Sequence, residues 1–133
     1  MNMDLKDRRK KGWGRFFRSF RYASRGLRNV FLEEQNIQLH LSAAAIAIIM
    51  AFVFSIPLIH WMILIIVIGG MFALEIINTA IERVVDLITE EYHPSAELAK
   101  DIAAAAVFVY SIAAIVVGVL LFYQPIVSLL FTN

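Results

Sequence analysis

A chain of 133 residues with 60% hydrophobic side chains is too short for two soluble domains and too apolar for one, since soluble domains carry only about 45–50% apolar residues. A net charge of +1 gives no warrant for nucleic acid as a partner, and the absence of cysteine excludes disulfides, thiolate nucleophiles and thiolate metal sites. Charge is instead segregated: ten of the twelve Lys and Arg residues lie between Lys6 and Arg28, and no Asp, Glu, Lys or Arg occurs between Glu34 and Glu75 or after Asp101.

Residues 1–11 read as a solvated basic tail, followed by an amphipathic helix over 12–32. At helical spacing Trp13, Phe16, Phe17, Phe20, Leu27 and Phe31 share one side, while Arg15, Arg18, Arg21, Arg25 and Arg28 share the other. Aromatics opposite arginines suit a helix lying in the headgroup layer with its cations near anionic lipid. A soluble partner-binding helix would carry a similar pattern, but an apolar tract follows here almost at once. The basic stretch precedes any apolar core and no small-residue cleavage site follows it, so no signal peptide is expected.

A crossing helix needs about 20 apolar residues. The uncharged tract after Glu34 therefore predicts two spans, near 38–57 and 61–81, and the tract after Asp101 predicts a third near 102–124. Pro57 and the interfacial Trp61 mark the turn between the first two. The basic residues sit in the N-terminal region and the 83–100 loop, which the positive-inside rule places in the cytoplasm. The 57–61 turn and the C-terminus then face outward. The predicted class is all-α: three transmembrane helices plus an N-terminal surface helix in a single membrane domain.

The second span carries the chemistry. Glu75, Asn78, Thr79, Glu82 and Asp86 follow one another at spacings of three, one, three and four and form one polar stripe on an otherwise apolar helix. Glu75 lies fourteen residues past Trp61, roughly 21 Å along a helix that rises about 1.5 Å per residue. That depth is just inside the boundary of an apolar core about 30 Å thick. An ionisable group there marks a functional site by default. Desolvation favours proton uptake by Glu75, as a general base requires. Glu82, in the wetter layer, suits a hard cation such as Mg²⁺, which takes one or two carboxylates together with phosphate oxygens. A base at the depth of a lipid hydroxyl and a metal ligand at the depth of a soluble phosphate donor fit phosphoryl transfer onto a lipid. The same stripe would also serve a packing motif, or a proton or ion relay, although transporter sites favour the midplane and broken helices.

Other cytoplasmic residues add to this site. Glu33-Glu34 closes the surface helix near the expected level of Glu82. Glu91-Tyr92-His93-Pro94 is expected to end the second helix, and Lys100-Asp101 opens the third span, where Lys100 suits a phosphate and Asp101 a ribose hydroxyl or adenine amino group. Asn36 and His40, four apart, are expected to hydrogen-bond along one helical face in a structural role. Gly69-Gly70 is expected to permit close helix packing. No P-loop, HExxH or Gly-x-Ser-x-Gly motif occurs, so ATP would have to bind without a Walker motif.

The run Glu75-Ile-Ile-Asn78-Thr79-Ala80-Ile81-Glu82-Arg-Val-Val85-Asp86 closely resembles the signature of the prokaryotic diacylglycerol kinase family of small trimeric membrane lipid kinases. The resemblance extends from about Phe16 to Phe122 and includes Ala23-x-x-Gly26, Glu34, Glu91-Tyr92-His93 and Ala99-Lys100-Asp101. It implies Glu75 as the general base, and Glu34 and Glu82 as carboxylates holding Mg²⁺ with ATP. It further implies Asn78, Lys100 and Asp101 as nucleotide and phosphate contacts. Tyr22, Glu91, Tyr92 and His93 are weaker nucleotide matches, with Arg15 and Asp86 in support. An obligate homotrimer with shared sites in a bacterial cytoplasmic membrane is also implied. The Gram-negative branch, which phosphorylates diacylglycerol, carries an acidic residue at the position of His40. With Gly69-Gly70-Met71-Phe72-Ala73-Leu74-Glu75 and His93-Pro94, this chain resembles the Gram-positive branch of undecaprenol kinases. The expected reaction is transfer from MgATP to undecaprenol, with diacylglycerol as the alternative acceptor. A non-catalytic transporter or assembly subunit is the alternative of another class.

Overall fold

The structure, a computed structural model, describes residues 13–89 and 91–131. The basic tail expected over residues 1–11 lies outside them. Four helices make up the described chain: α1 (Trp13–Glu33), α2 (Gln35–Val53), α3 (Leu58–Ile88) and α4 (Pro94–Phe131). The last three are long and apolar enough to cross a membrane. They leave large apolar side chains such as Ile65, Ile66, Val116 and Leu120 exposed. A bundle with apolar residues outside and its polar stripe inside is stable only when lipid surrounds it.

Helices α3 and α4 run beyond the spans expected at 61–81 and 102–124 at both ends, whereas α2 is shifted to 35–53 against the expected 38–57. With 31 residues, α3 is about 46 Å long, so its polar turns project past a hydrocarbon core of about 30 Å. It ends at Ile88, with Thr89 extended and its N–H bonded to the Val85 carbonyl. Pro94 therefore does not terminate this helix, contrary to expectation. It opens α4, because proline's missing N–H costs nothing in a first helical turn. The Ser95 N–H donates to His93 Nδ1 at 3.2 Å, and the Ala96 and Glu97 N–H groups bond the His93 carbonyl. Pro125 lies inside α4, which continues to Phe131.

A single extended residue, Glu34, separates α1 from α2. Its N–H bonds the Val30 carbonyl at 3.0 Å, and Gln38 Nε2 donates back to the Leu32 carbonyl at 3.3 Å. Arg83 of α3 ties this elbow down: its Nη2 donates to Glu33 Oε2 at 3.0 Å and Glu34 Oε1 at 2.9 Å. Above the ion pairs the Phe31 and Phe72 rings meet with centroids 5.3 Å apart.

At the opposite end, α2 reverses into α3 through Ser55, which is left-handed at φ 49°. The Ile56 N–H bonds the Ala51 carbonyl and the Ser55 N–H bonds the Phe52 carbonyl, a Schellman arrangement that ordinarily favours glycine at this position. Buried Ala51, Ile56, Leu64, Leu121 and Phe122 pack beneath the turn, and Phe52 meets Trp61 edge-on. This apolar plug fixes the α2–α3 hairpin register.

Helix α4 packs along α3 more extensively than α2 does. At Gly70 the two helices meet, with Tyr110 crossing over the glycine and its hydroxyl donating to the Val67 carbonyl at 3.1 Å. An added Cβ at Gly70 would overlap the phenol, with Cζ only 2.6 Å away, whereas Gly69 faces open space. Of the glycine pair expected to permit close packing, only Gly70 does so.

Two outcomes are expected. Gly70→Ala lowers stability in detergent thermal unfolding by about 1–3 kcal/mol through overpacking, while Gly69→Ala is neutral or gains up to about 1 kcal/mol of helix propensity. The chain has no cysteine, so spin labels at Ser24→Cys and Leu87→Cys report the α1–α3 distance directly. Arg83→Ala broadens that distance distribution, and Lys100→Ala leaves it unchanged.

Candidate active site

The polar stripe of α3 faces the interior of the bundle and becomes wetter along its length. Glu75 is 2% exposed, Asn78 6% and Thr79 4%. Glu82 is half-buried and Asp86 is exposed. Three to four residues per step keep these groups on one face, and the other packed helices cover the first turns of that face but not the last.

Within the stripe, Asn78 Nδ2 donates to Glu82 Oε1 at 2.9 Å, one turn on. The Asn78 Oδ1 atom is buried and has no hydrogen-bond partner. A buried amide oxygen is ordinarily satisfied, so this acceptor is available to a group that binds beside Glu82.

His40 supplies the contact that the sequence reading misses. Its Nε2 lies 3.1 Å from Glu75 Oε1, across the α2–α3 packing, with side-chain exposures of 28% and 3%. The expected partnership of His40 with Asn36 is replaced by this one, because a buried carboxylate strongly favours a polar partner over an apolar wall. A signal was present in the sequence. Equal counts either side of the Ile56 turn set His40 opposite Phe72, less than one helical turn from Glu75.

His40 also stands at one end of an apolar groove of about 320 Å³ between α2, α3 and α4. The groove runs from His40 and Phe72 past Ala44 and Met71 to Leu121 and Phe122. Its near end thus lies beside the buried carboxylate, and its far end lies at the apolar plug.

A second depression, of about 330 Å³, is polar and lies over the α3–α4 connection. It gathers Asp86, Glu91, Tyr92, His93, Lys100 and Asp101. Lys100 Nζ pairs with Asp86 Oδ1 at 2.5 Å, so the cation expected to meet phosphate is held by a carboxylate of the stripe. Thr89 Oγ1 donates to the Glu91 carbonyl at 2.9 Å, shaping the turn. The Glu97 carboxylate, hydrogen-bonded to the Tyr92 hydroxyl, raises the phenol above its usual value.

The remaining sequence candidates fall outside these two groups. Arg15 and Tyr22 are exposed on α1, and among the described residues neither side chain bonds another candidate. Glu34 reaches the level of Glu82, but it is engaged by the neighbouring Arg83. No group of three His, Asp or Glu side chains is assembled for a metal among the described residues. Mg²⁺ does not demand one, because it is commonly held by one or two carboxylates with substrate phosphates supplying the rest. Glu82 and Glu34 are carboxylates of that kind, and Glu34 is paired with Arg83 here.

Comparison with known proteins identifies the family. The family model for prokaryotic diacylglycerol kinase matches residues 21–122, which contain α2, α3 and most of α1 and α4. The chain is 47% identical to an undecaprenol kinase of Bacillus subtilis over 90% of its own length and 97% of the relative's. It is 37% identical to a diacylglycerol kinase of Synechocystis, over 84% of its length and 65% of the relative's. It is 31% identical to the diacylglycerol kinase of Escherichia coli K12, over 85% and 93%. With its polar stripe, its three long apolar helices and these matches, the chain belongs to the prokaryotic diacylglycerol kinase family.

Proposed function

We propose that this membrane protein is an ATP-dependent kinase that phosphorylates the terminal hydroxyl of undecaprenol. The observation that carries the reading is a buried carboxylate, Glu75, one turn below the Asn78–Glu82 pair and held by His40, which lines the inner end of an apolar groove. The groove suits an isoprenoid tail, and the carboxylate stands where a lipid hydroxyl would end. The similarity to the Bacillus subtilis undecaprenol kinase over nearly the whole chain supports the choice of acceptor.

In this reading Glu75 accepts the hydroxyl proton as the acceptor oxygen attacks the γ-phosphorus. The bond to the oxygen bridging the β- and γ-phosphorus breaks, and ADP leaves. Little covalent chemistry falls to the protein, so positioning and charge compensation dominate. Glu82 and Glu34 would hold Mg²⁺, which supplies neutralisation of the phosphate charge when bound with ATP. Asn78 would present its unpaired Oδ1 to the nucleotide or to a metal-bound group. Lys100 would exchange Asp86 for phosphate, with Asp101, Glu91, Tyr92 and His93 around the nucleotide. Tyr22 and Arg15, isolated on α1, would contribute from a neighbouring subunit of a homotrimer. The positive charge of α1 and of the 83–100 region supports a cytoplasmic side for the site and the N-terminus, with the C-terminus outside.

Purified protein given labelled ATP, Mg²⁺ and each lipid in parallel is expected to label undecaprenol in preference to diacylglycerol. The reverse preference would keep the chemistry and change the substrate; labelling of neither would remove the reading. In the same assay Glu75→Gln is expected to lose at least about 100-fold in kcat, the scale of a lost general base. Glu82→Gln should shift the Mg²⁺ titration to higher concentration, and an unmoved titration would take Glu82 out of the metal site.

A further inference from the structure

Among the described residues, the polar side chain recorded against the Glu75 carboxylate is His40, which approaches Oε1 through Nε2 at 3.1 Å. An ionised carboxylate accepts hydrogen bonds and cannot donate them. When Glu75 is ionised, as a base must be to take up a proton, the nitrogen facing it carries a proton, whichever state the rest of the imidazole adopts. Glutamate has three rotatable bonds, and a base must present one oxygen to the acceptor hydroxyl within hydrogen-bond reach. No side chain of α3 is recorded as bonding this carboxylate: Asn78 is committed to Glu82, and Arg83 turns to Glu33 and Glu34.

We propose that His40 is a positioning residue for phosphoryl transfer: its Nε2–H holds Glu75 Oε1 across the α2–α3 contact and leaves Oε2 for the proton of the lipid hydroxyl. The proposal rests on the reading of Glu75 as the base. The geometry supports it in two further ways. His40 is displayed on α2, whose position against α3 is fixed by the plug beneath the Ser55 turn, so the donor is anchored independently of the helix it serves. His40 also borders the inner end of the apolar groove, so the residue that orients the base stands where the lipid headgroup would arrive.

The test compares two substitutions of similar polarity. In Gln the side-chain amide nitrogen reaches the place of histidine Nε2; in Asn it falls short. His40→Gln is expected to hold kcat within about threefold, whereas His40→Asn loses about tenfold or more, in keeping with the sensitivity of proximity effects to sub-ångström and ångström displacements. KM for ATP should stay unchanged in both. If His40 acts through Glu75, adding His40→Asn to Glu75→Asp, whose shortened arm already breaks the contact, should cost no further activity.

Equal kcat in the two His40 variants, losses that appear in KM alone, or losses that multiply in the double variant would each overturn the proposal. Should the Asn variant fail to fold, as judged by thermal unfolding in detergent, the Gln variant decides alone. A folded Gln protein slowed by more than about tenfold overturns the assignment. Glu75→Gln separates the two levels of inference. Turnover surviving in that variant removes the base itself, whereas turnover lost there but retained in His40→Asn removes only His40.

Discussion

The structure is organised around the cost of placing a carboxylate in an apolar bundle. A buried charge without partners is expensive, and breaking a buried pair leaves the same penalty behind. Glu75, at 2% exposure, lies on the face of α3 covered by α2, and it is met there by His40. That one contact requires α2 to lie at a particular height and rotation against α3. The tight turn at Ser55 and the apolar plug below it fix that height from the far side, and the Arg83 ion pairs act on the near side.

Two ends of the bundle consequently differ in character. At the turn, Phe52, Trp61, Phe54 and Phe122 interlock through ring contacts and buried aliphatic neighbours. At the other end the links are ion pairs among partly exposed side chains: Arg83 with Glu33 and Glu34, and Lys100 with Asp86. Exposed pairs of this kind contribute little to stability and are readily exchanged. The apolar end is held by close packing, while the polar end is held by charged groups that compensate one another at the surface. The exposure gradient along α3, from Glu75 through Glu82 to Asp86, follows from the same division.

Much of this was legible in the residues. Long uncharged tracts give three helices able to span, and the spacing from Glu75 to Asp86 gives a one-faced stripe, because both signals are local and periodic. Helix lengths were less legible, since α3 and α4 extend past the apolar stretch into turns where no hydropathy change marks the end. Pro94 misled for a related reason: proline is tolerated in a first helical turn, so it opens α4 instead of closing α3. The pairing of His40 with Glu75, and of Arg83 with Glu34, depends on the register between helices, which no single window of sequence contains. The gathering of Glu91, Tyr92, His93, Lys100 and Asp101 over one depression was legible as a set, but the capture of Lys100 by Asp86 was not.

The elbow at Glu34 has a mechanical meaning. One extended residue joins a helix that carries aromatics and arginines along its faces to a helix long enough to span a membrane. A lever hinged on one residue transmits any change of pitch straight to its fulcrum. Here the fulcrum is itself a carboxylate at the level of Glu82. Tilt of α1 must be absorbed by the φ and ψ of Glu34 or by lengthening of its bond to Arg83. A change in the pitch of α1 therefore reaches that carboxylate directly.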